Sequence, residues 1–319
     1  MKVFAIAAAL ATLAAGPALA QTPDEPVAID EIVVRAQASG APIWTIRDGA
    51  STLILVGSIN GMPQDVSWRP EALEEAVREA DLVLTPQEGQ VGISDVLRII
   101  WRMRTIGRLP GETTTADYLD AEWQARLERL MAGERSDSWR RQSLLLLSFD
   151  LIEERAGLNR RGRGRSAAEV VARTAREARI ETRPVGVVGG STLVASLIDA
   201  PPEVHVPCLE AAIVAAEAGP ETGRERAMAW RARQVAAVAN SPIDRAMSVC
   251  WPWADADIAP QLHTQWADTI ETALDEPRVT MAVAGVRLLA VEGGILDQLE
   301  ARGAEIEGPD WRPQVEAVD

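Results

Sequence analysis

The sequence predicts an α/β fold, with a mixed β-sheet built from the N- and C-terminal segments and a large, mainly helical middle region. Three observations predict it. Apolar β-type runs gather near the two ends of the chain, at 42–60 and 80–86 and again at 278–285. Between them, over 94–275, most apolar residues recur at helical spacing. Glycines stand where strands give way to the next segment, at Gly57, Gly189-Gly190 and Gly285.

Residues 1–20 read as a signal peptide. Lys2 supplies the positive start, Val3 to Ala15 the apolar core, and Ala18-Leu19-Ala20 a small-residue cleavage site. That core is short for a bilayer span, and a retained anchor is the alternative. Residues 21–40 are polar and acidic and are expected to form a flexible leader, with Ile32-Val33-Val34 as a short edge strand. One domain is then expected over 41–308, and a loose tail over 309–319.

The domain starts with strand, turn and strand: Pro42 to Asp48, Gly49, then Ser51 to Asn60. Arg69 to Ala80 is helical, with Pro70 suited to a first turn and Leu73, Ala76, Val77 and Ala80 on one face. Ala80 to Pro86 returns to strand. Gly89 and Gly92 break the chain, and Ser94 is expected to cap a helix over Val96 to Ile106. Further amphipathic helices are expected over 115–131 and 137–156. The basic run Asn159 to Arg165 reads as a solvated loop, with an anionic surface such as lipid headgroups as the alternative. Ser166-Ala167-Ala168-Glu169 fits a capping box for a helix through Ala178.

Thr182 to Val188 reads as a strand, and Gly189-Gly190-Ser191 leads from it into a helix that Ser191 is expected to cap. The glycine turn could also cradle an anion. It matches neither the dinucleotide fingerprint, nor the phosphate loop, nor a nucleophile elbow. Helices follow over 206–218, 221–239 and 258–274, interrupted by Trp251-Pro252-Trp253. Packing beside Cys250 is expected of that pair; stacking on a sugar or peptide is the alternative. Arg278 to Gly285 is a buried-type strand, Ile295 to Gly303 a helix ending on its glycine, and 304–307 a last short strand.

Composition narrows the function classes. A net charge of −15 excludes general nucleic-acid binding, which needs a basic footprint. The 47% hydrophobic fraction is enough for a substantial core, and ten Trp against two Phe and one Tyr make Trp its main aromatic. After residue 20 no apolar run reaches transmembrane length. Cys208 and Cys250 are expected to form a disulfide in an oxidising compartment, with two buried thiols as the alternative. These features place the protein in a bacterial periplasm or outside the cell.

The order of segments over 42–86, with Gly57 ending the second strand, resembles the N-terminal unit of the TraB/GumN family, to which the Tiki metalloproteases are related. The C-terminal segment resembles the same family through Gly294-Ile295-Leu296, Leu299 and Gly303. The resemblance implies that the strands at 52–57 and 279–284 share one sheet. It also implies two Gly-x-x-His turns and a strand glutamate holding a divalent metal such as Mn or Co, which would activate a water. Here the first histidine position holds Asn60 and the glutamate position Thr85. The second histidine position falls on Arg287 counted from the strand, or on Leu288 counted back from Gly294. An amide, a hydroxyl and a cation do not make a hydrolytic metal centre, so the family's activity is not carried over, and neither a metal nor any other cofactor is expected.

The candidate site is therefore a degenerate cleft at Gly57, Asn60, Thr85, Gly285 and Arg287, suited to an anionic ligand such as a peptide carboxylate. The reading is a binding or scaffold module for a peptide, a protein or a small anion. A hydrolase with a rearranged site is the alternative and would need His205 or His263, the chain's two histidines. A third reading is an unrelated helical interaction protein.

Overall fold

The computed structural model describes residues 29–312, apart from 91 and 159–162. The expected signal peptide, the first part of the leader, the middle of the basic run and the end of the tail lie outside the described residues. The chain opens with α1 (Ile29–Ala38), then β1 (Ile43–Asp48) and β2 (Ser51–Ser58). Helix α2 (Pro70–Arg78) leads to β3 (Leu82–Thr85), β4 (Glu88–Gln90) and α3 (Ile93–Gly107). The middle continues with α4 (Ala121–Met131), α5 (Leu144–Asp150) and α6 (Ala167–Ala178), then β5 (Glu181–Pro184), β6 (Val187–Gly189) and α7 (Gly190–Asp199). Helices α8 (Val206–Glu217), α9 (Thr222–Arg231), α10 (Val235–Ala239), α11 (Pro242–Ser248) and α12 (Ile258–Leu274) follow. The end is β7 (Val279–Gly285), α13 (Val286–Ala290), α14 (Ile295–Ala301) and β8 (Ile306–Glu307).

The main sheet has the order β5-β3-β7-β2-β1-β8. Strands β5, β3, β7 and β2 run parallel, and β1 and β8 are antiparallel to their neighbours. The two ends of the chain thus meet in one sheet, with Thr52 level with Val279 and Ser58 with Gly285. Every residue of β2 is buried. Side chains alternate between faces along a strand, so both faces of the sheet are covered. Helices α1, α2 and α6 form one group against it, and α12 packs on β2 and α14. A separate helical core joins α5, α8 and α11, where Leu147, Leu209, Ile213 and Ile243 are buried. The expected Cys208–Cys250 disulfide links the first turn of α8 to the second residue beyond α11. A third group sets the two-stranded sheet β4–β6 beside α7, which in turn packs on α3.

Several local expectations need correction. The single strand expected over Thr182 to Val188 is two, β5 in the main sheet and β6 beside β4. Ile32-Val33-Val34 lies in α1, not in an edge strand, and the described part of the expected leader is mostly helix. Ile32, Val33 and Ala36 are buried in the core next to α2, and that packing overrides the β preference of Ile and Val. Gly92, not Ser94, caps α3: the Asp95 carboxylate accepts the Gly92 N–H at 2.9 Å. Gly189, not Ser191, caps α7. The helix expected over 221–239 is split into α9 and α10 by Arg233, which sits at a φ of 57°. The capping box at Ser166 and Glu169 forms as expected, with the Ser166 N–H donating to Glu169 Oε2 at 2.8 Å.

Candidate functional site

Parallel strands bring their carboxyl ends to one edge of a sheet, and ligands of open α/β sheets bind in the crevice outside that edge. Here the ends of β2, β7, β3 and β5 lie together, with Ser58 level with Gly285 and Thr85 with Pro184. A cavity of about 230 Å³ opens beyond β3 and β7. Its walls include Gln87, Ala284, Gly285 and Leu288, with Trp253 and Trp266 as the large aromatic surfaces. Trp266 Nε1 donates to Gln87 Oε1 at 3.0 Å, and Gln87 Nε2 donates to the Leu262 carbonyl at 2.8 Å. These bonds fix the segment after β3 to α12, so the wall is held by buried structure.

Arg287 enters this cavity from α13. Its guanidinium carbon lies 4.5 Å from the centroid of the Trp253 ring, a cation–π distance. Among the described residues it forms no hydrogen bond and no ion pair through that guanidinium. Burial, the largest influence, pushes its pKa down to about 10; Asp244 raises it and Arg226 lowers it further. Trp253, Arg287 and Leu288 also line an adjoining hollow of about 360 Å³ that includes Ser248 and His263. The His263 ring meets Trp253 edge to face at 6.4 Å between centroids. Its pKa lies below the usual histidine value, first through burial and then through the charge of Arg287.

The five predicted site residues are thus divided. Gly285 and Arg287 line the cavity, as does Leu288, the other register for the second histidine position. Thr85 is half-buried directly before Pro86, which lines it, and its carbonyl accepts the Val185 N–H. Gly57 lies outside the lining, where a Cβ would stand 3.0 Å from the Trp44 ring and 3.0 Å from a Val286 methyl. Its carbonyl accepts Trp230 Nε1 at 2.8 Å. Neither Gly57 nor Gly285 has positive φ; the left-handed glycine after β2 is Gly61, at 70°. Gly57 therefore serves close packing, not the tight turn expected of it.

Asn60 is exposed, and its backbone carbonyl accepts Arg226 Nη1 at 2.8 Å. Arg226 also grips the buried Asp244 carboxylate through two hydrogen bonds, one of them 2.9 Å, and Ser241 Oγ donates to the same carboxylate at 2.9 Å. This satisfied ion pair anchors the turn after β2 to α9 and α11. It keeps Asp244 occupied, and among the described residues Arg287 has no carboxylate partner.

His205 lies elsewhere, in a groove with Leu145 and Ile198, its pKa lowered by burial against the opposing charge of Asp255. Trp251 packs beside the disulfide as expected, and its Nε1 donates to Ser196 Oγ at 3.1 Å. Trp253 instead faces the cavity. The sequence reading left Trp253 and His263 out of the predicted site and named them only in its alternatives, as a stacking residue and as the base of a rearranged hydrolase. The signal available was the proximity of Trp251-Pro252-Trp253 to a helix carrying a half-buried histidine. Of the basic run, Arg163 pairs with Glu169 and Arg165 with Glu74.

Asn60, Thr85 and Arg287, the residues the sequence reading counted to ligand positions, do not fit a divalent metal: an exposed amide, a hydroxyl and a half-buried cation offer no charged oxygen or imidazole. Among the described residues no cluster of three or more His, Cys, Asp or Glu is placed to hold one.

The model of the TraB/PrgY/gumN family matches residues 42–308. The chain belongs to the TraB/PrgY/gumN family. The match takes in the helical middle as well as the two ends that carry the resemblance. It accords with the pairing of β2 and β7, the strands expected to share a sheet. No curated protein and no solved structure gives a significant match to this TraB/PrgY/gumN chain.

Proposed function

We propose that this TraB/PrgY/gumN chain is an exported binding module without hydrolytic activity, and that its cleft takes a small anionic ligand such as a peptide carboxylate. One observation carries the reading: Arg287 is half-buried on the wall of a largely apolar cavity, stacked on Trp253 and lacking a counter-ion among the described residues. Removing a guanidinium from water is unfavourable unless a partner restores its hydrogen bonds, and a carboxylate does so bidentately. Trp253 and Trp266 supply apolar contact for the rest of such a ligand. The disulfide is compatible with export, and no helix among the described residues is long and apolar enough to cross a membrane.

A rearranged hydrolase is the second reading, favoured by His263 in the adjoining hollow with Ser248. Nucleophilic catalysis needs a base in hydrogen-bond reach of the nucleophile and a third group orienting that base. Ser248 Oγ instead donates to the Asp244 carbonyl at 2.8 Å, and among the described residues His263 has no carboxylate hydrogen-bonded to its ring. The test is calorimetric titration with N-acetyl-leucine and with its neutral amide. The carboxylate is expected to bind at least about tenfold more tightly than the amide, and Arg287→Gln to abolish the preference. Equal binding of the two probes, or an unchanged preference in Arg287→Gln, would overturn the reading.

A further inference from the structure

The hollow that adjoins the cavity holds groups that a carboxylate ligand leaves unused. It shares Trp253, Arg287 and Leu288 with the cavity and adds Ser248, His263, Glu292 and Gln298. Glu292 is exposed in the loop between α13 and α14. Among the described residues its carboxylate forms no hydrogen bond and no ion pair. A cation and an anion thus line one hollow without closing on each other, and each is left without a partner.

The remaining polar groups of this wall are placed to accept. Ser248 Oγ gives its one hydrogen to the Asp244 carbonyl at 2.8 Å, which leaves the oxygen as an acceptor. Gln298 Nε2 donates to the Gly293 carbonyl at 2.9 Å, and among the described residues Oε1 of the same amide has no partner. Burial and the charge of Arg287 keep the pKa of His263 below the usual value, so its ring is neutral at pH 7. At that pH Arg287 is the one cation among the residues lining the hollow.

We propose that the ligand of this cleft is a small zwitterion, a free apolar amino acid or dipeptide. Its carboxylate meets Arg287, its ammonium meets Glu292, Ser248 and Gln298, and its apolar side chain lies against Trp253 and Trp266. An ammonium carries three hydrogens to donate, and the hollow offers three acceptor groups for them. Acylating the amine removes its charge and leaves Glu292 unpaired. The inference rests on the carboxylate role proposed for Arg287 and adds the second terminus of the ligand. A dicarboxylate fits less well, because its second anion would stand beside Glu292. An inorganic anion would leave the apolar wall of Ile258, Leu262 and Trp266 uncovered.

The test is calorimetric titration of the full chain with leucine and with leucyl-leucine, each beside its N-acetylated form. At least one free amine is expected to bind at least about threefold more tightly than its acetylated form, as a partly exposed charge pair allows. The larger margin tells amino acid from dipeptide. Glu292→Gln, at an exposed position, should erase that margin with an unchanged thermal midpoint, while N-acetyl-leucine keeps its preference over its amide. Acetylated forms that bind as tightly as both free amines overturn the zwitterion, as does a margin that survives in Glu292→Gln. In either case a preference for N-acetyl-leucine over its amide that Arg287→Gln abolishes still upholds the carboxylate reading. Equal binding of N-acetyl-leucine and its amide overturns that reading, and the zwitterion with it.

Discussion

Arg287 and the Arg226–Asp244 pair show opposite solutions for a cation taken out of water. Arg226 is sealed in with a carboxylate, a serine hydroxyl bound to that carboxylate, and a backbone carbonyl. Removing the carboxylate with Asp244→Ala would strand the cation, and about 3–5 kcal/mol of stability should be lost in urea unfolding. Among the described residues Arg287 keeps its donors free, which on the proposed reading leaves its charge available to a ligand. Its pKa of about 10 leaves it protonated at neutral pH, so carboxylate affinity should hold from pH 7 to 9 and fall as pH rises through that value. The histidines give a second pH dependence. Both have folded pKa values below the ordinary 6.5, so the unfolded chain binds more protons in mild acid. Their contribution to stability is complete above pH 6.5 and is lost as pH falls through the folded values. Thermal scans at pH 7.5 and 5.5 should therefore show a smaller drop for His205→Phe than for the wild type. At this scale the sequence revealed types more than surroundings. Arg287 was visible as a cation at an expected ligand position, but Asn60 facing solvent and Gly57 beneath Trp44 depend on contacts from Trp230, Arg226 and Val286, remote in sequence.

Elements were legible where local chemistry decides them. Ser166 and Glu169 complete their capping box within one turn, and Ser166→Ala should cost about 1 kcal/mol of stability. Ser191 looked equally suitable, yet the chain enters α7 at Gly189, and Ser191→Ala should change stability by less than about 0.5 kcal/mol. Chemical denaturation of the two variants side by side tests the distinction. The strands at 52–57 and 279–284 were legible because continuous apolar runs bury both faces. Helix α1 was not: three β-branched residues in a row favour a strand until α2 offers a surface to pack on. Helix α3 misled in the other direction, with Leu97, Ile100 and Trp101 of its apolar stripe exposed, since periodicity reports a face and not what the face meets.

In the whole molecule, a sheet closed by both chain ends carries a helical middle that folds back across its carboxyl edge. That return path brings Trp253 and His263 to the cavity, and no local pattern encodes it. The family frame was readable from the ordered set of end segments, whereas the cavity required the placement of α12 and α13. The Cys208–Cys250 bridge holds the middle together, with a sequence separation of 42 residues. Loop entropy for a closure of that size corresponds to about 4 kcal/mol, so the double variant Cys208→Ala/Cys250→Ala should unfold at correspondingly lower urea concentration. The central proposal is that the cleft of this TraB/PrgY/gumN chain receives an anion and not a metal. The most direct measurement is thermal unfolding of the protein with Mn²⁺, Co²⁺ or Zn²⁺ and, in parallel, with N-acetyl-leucine. A ligand of the folded state raises the midpoint with concentration. The account predicts a rise with the carboxylate that disappears in Arg287→Gln, and no rise with the metals. A saturable rise with a metal at one equivalent, and none with the carboxylate, would contradict it and put the hydrolase reading first.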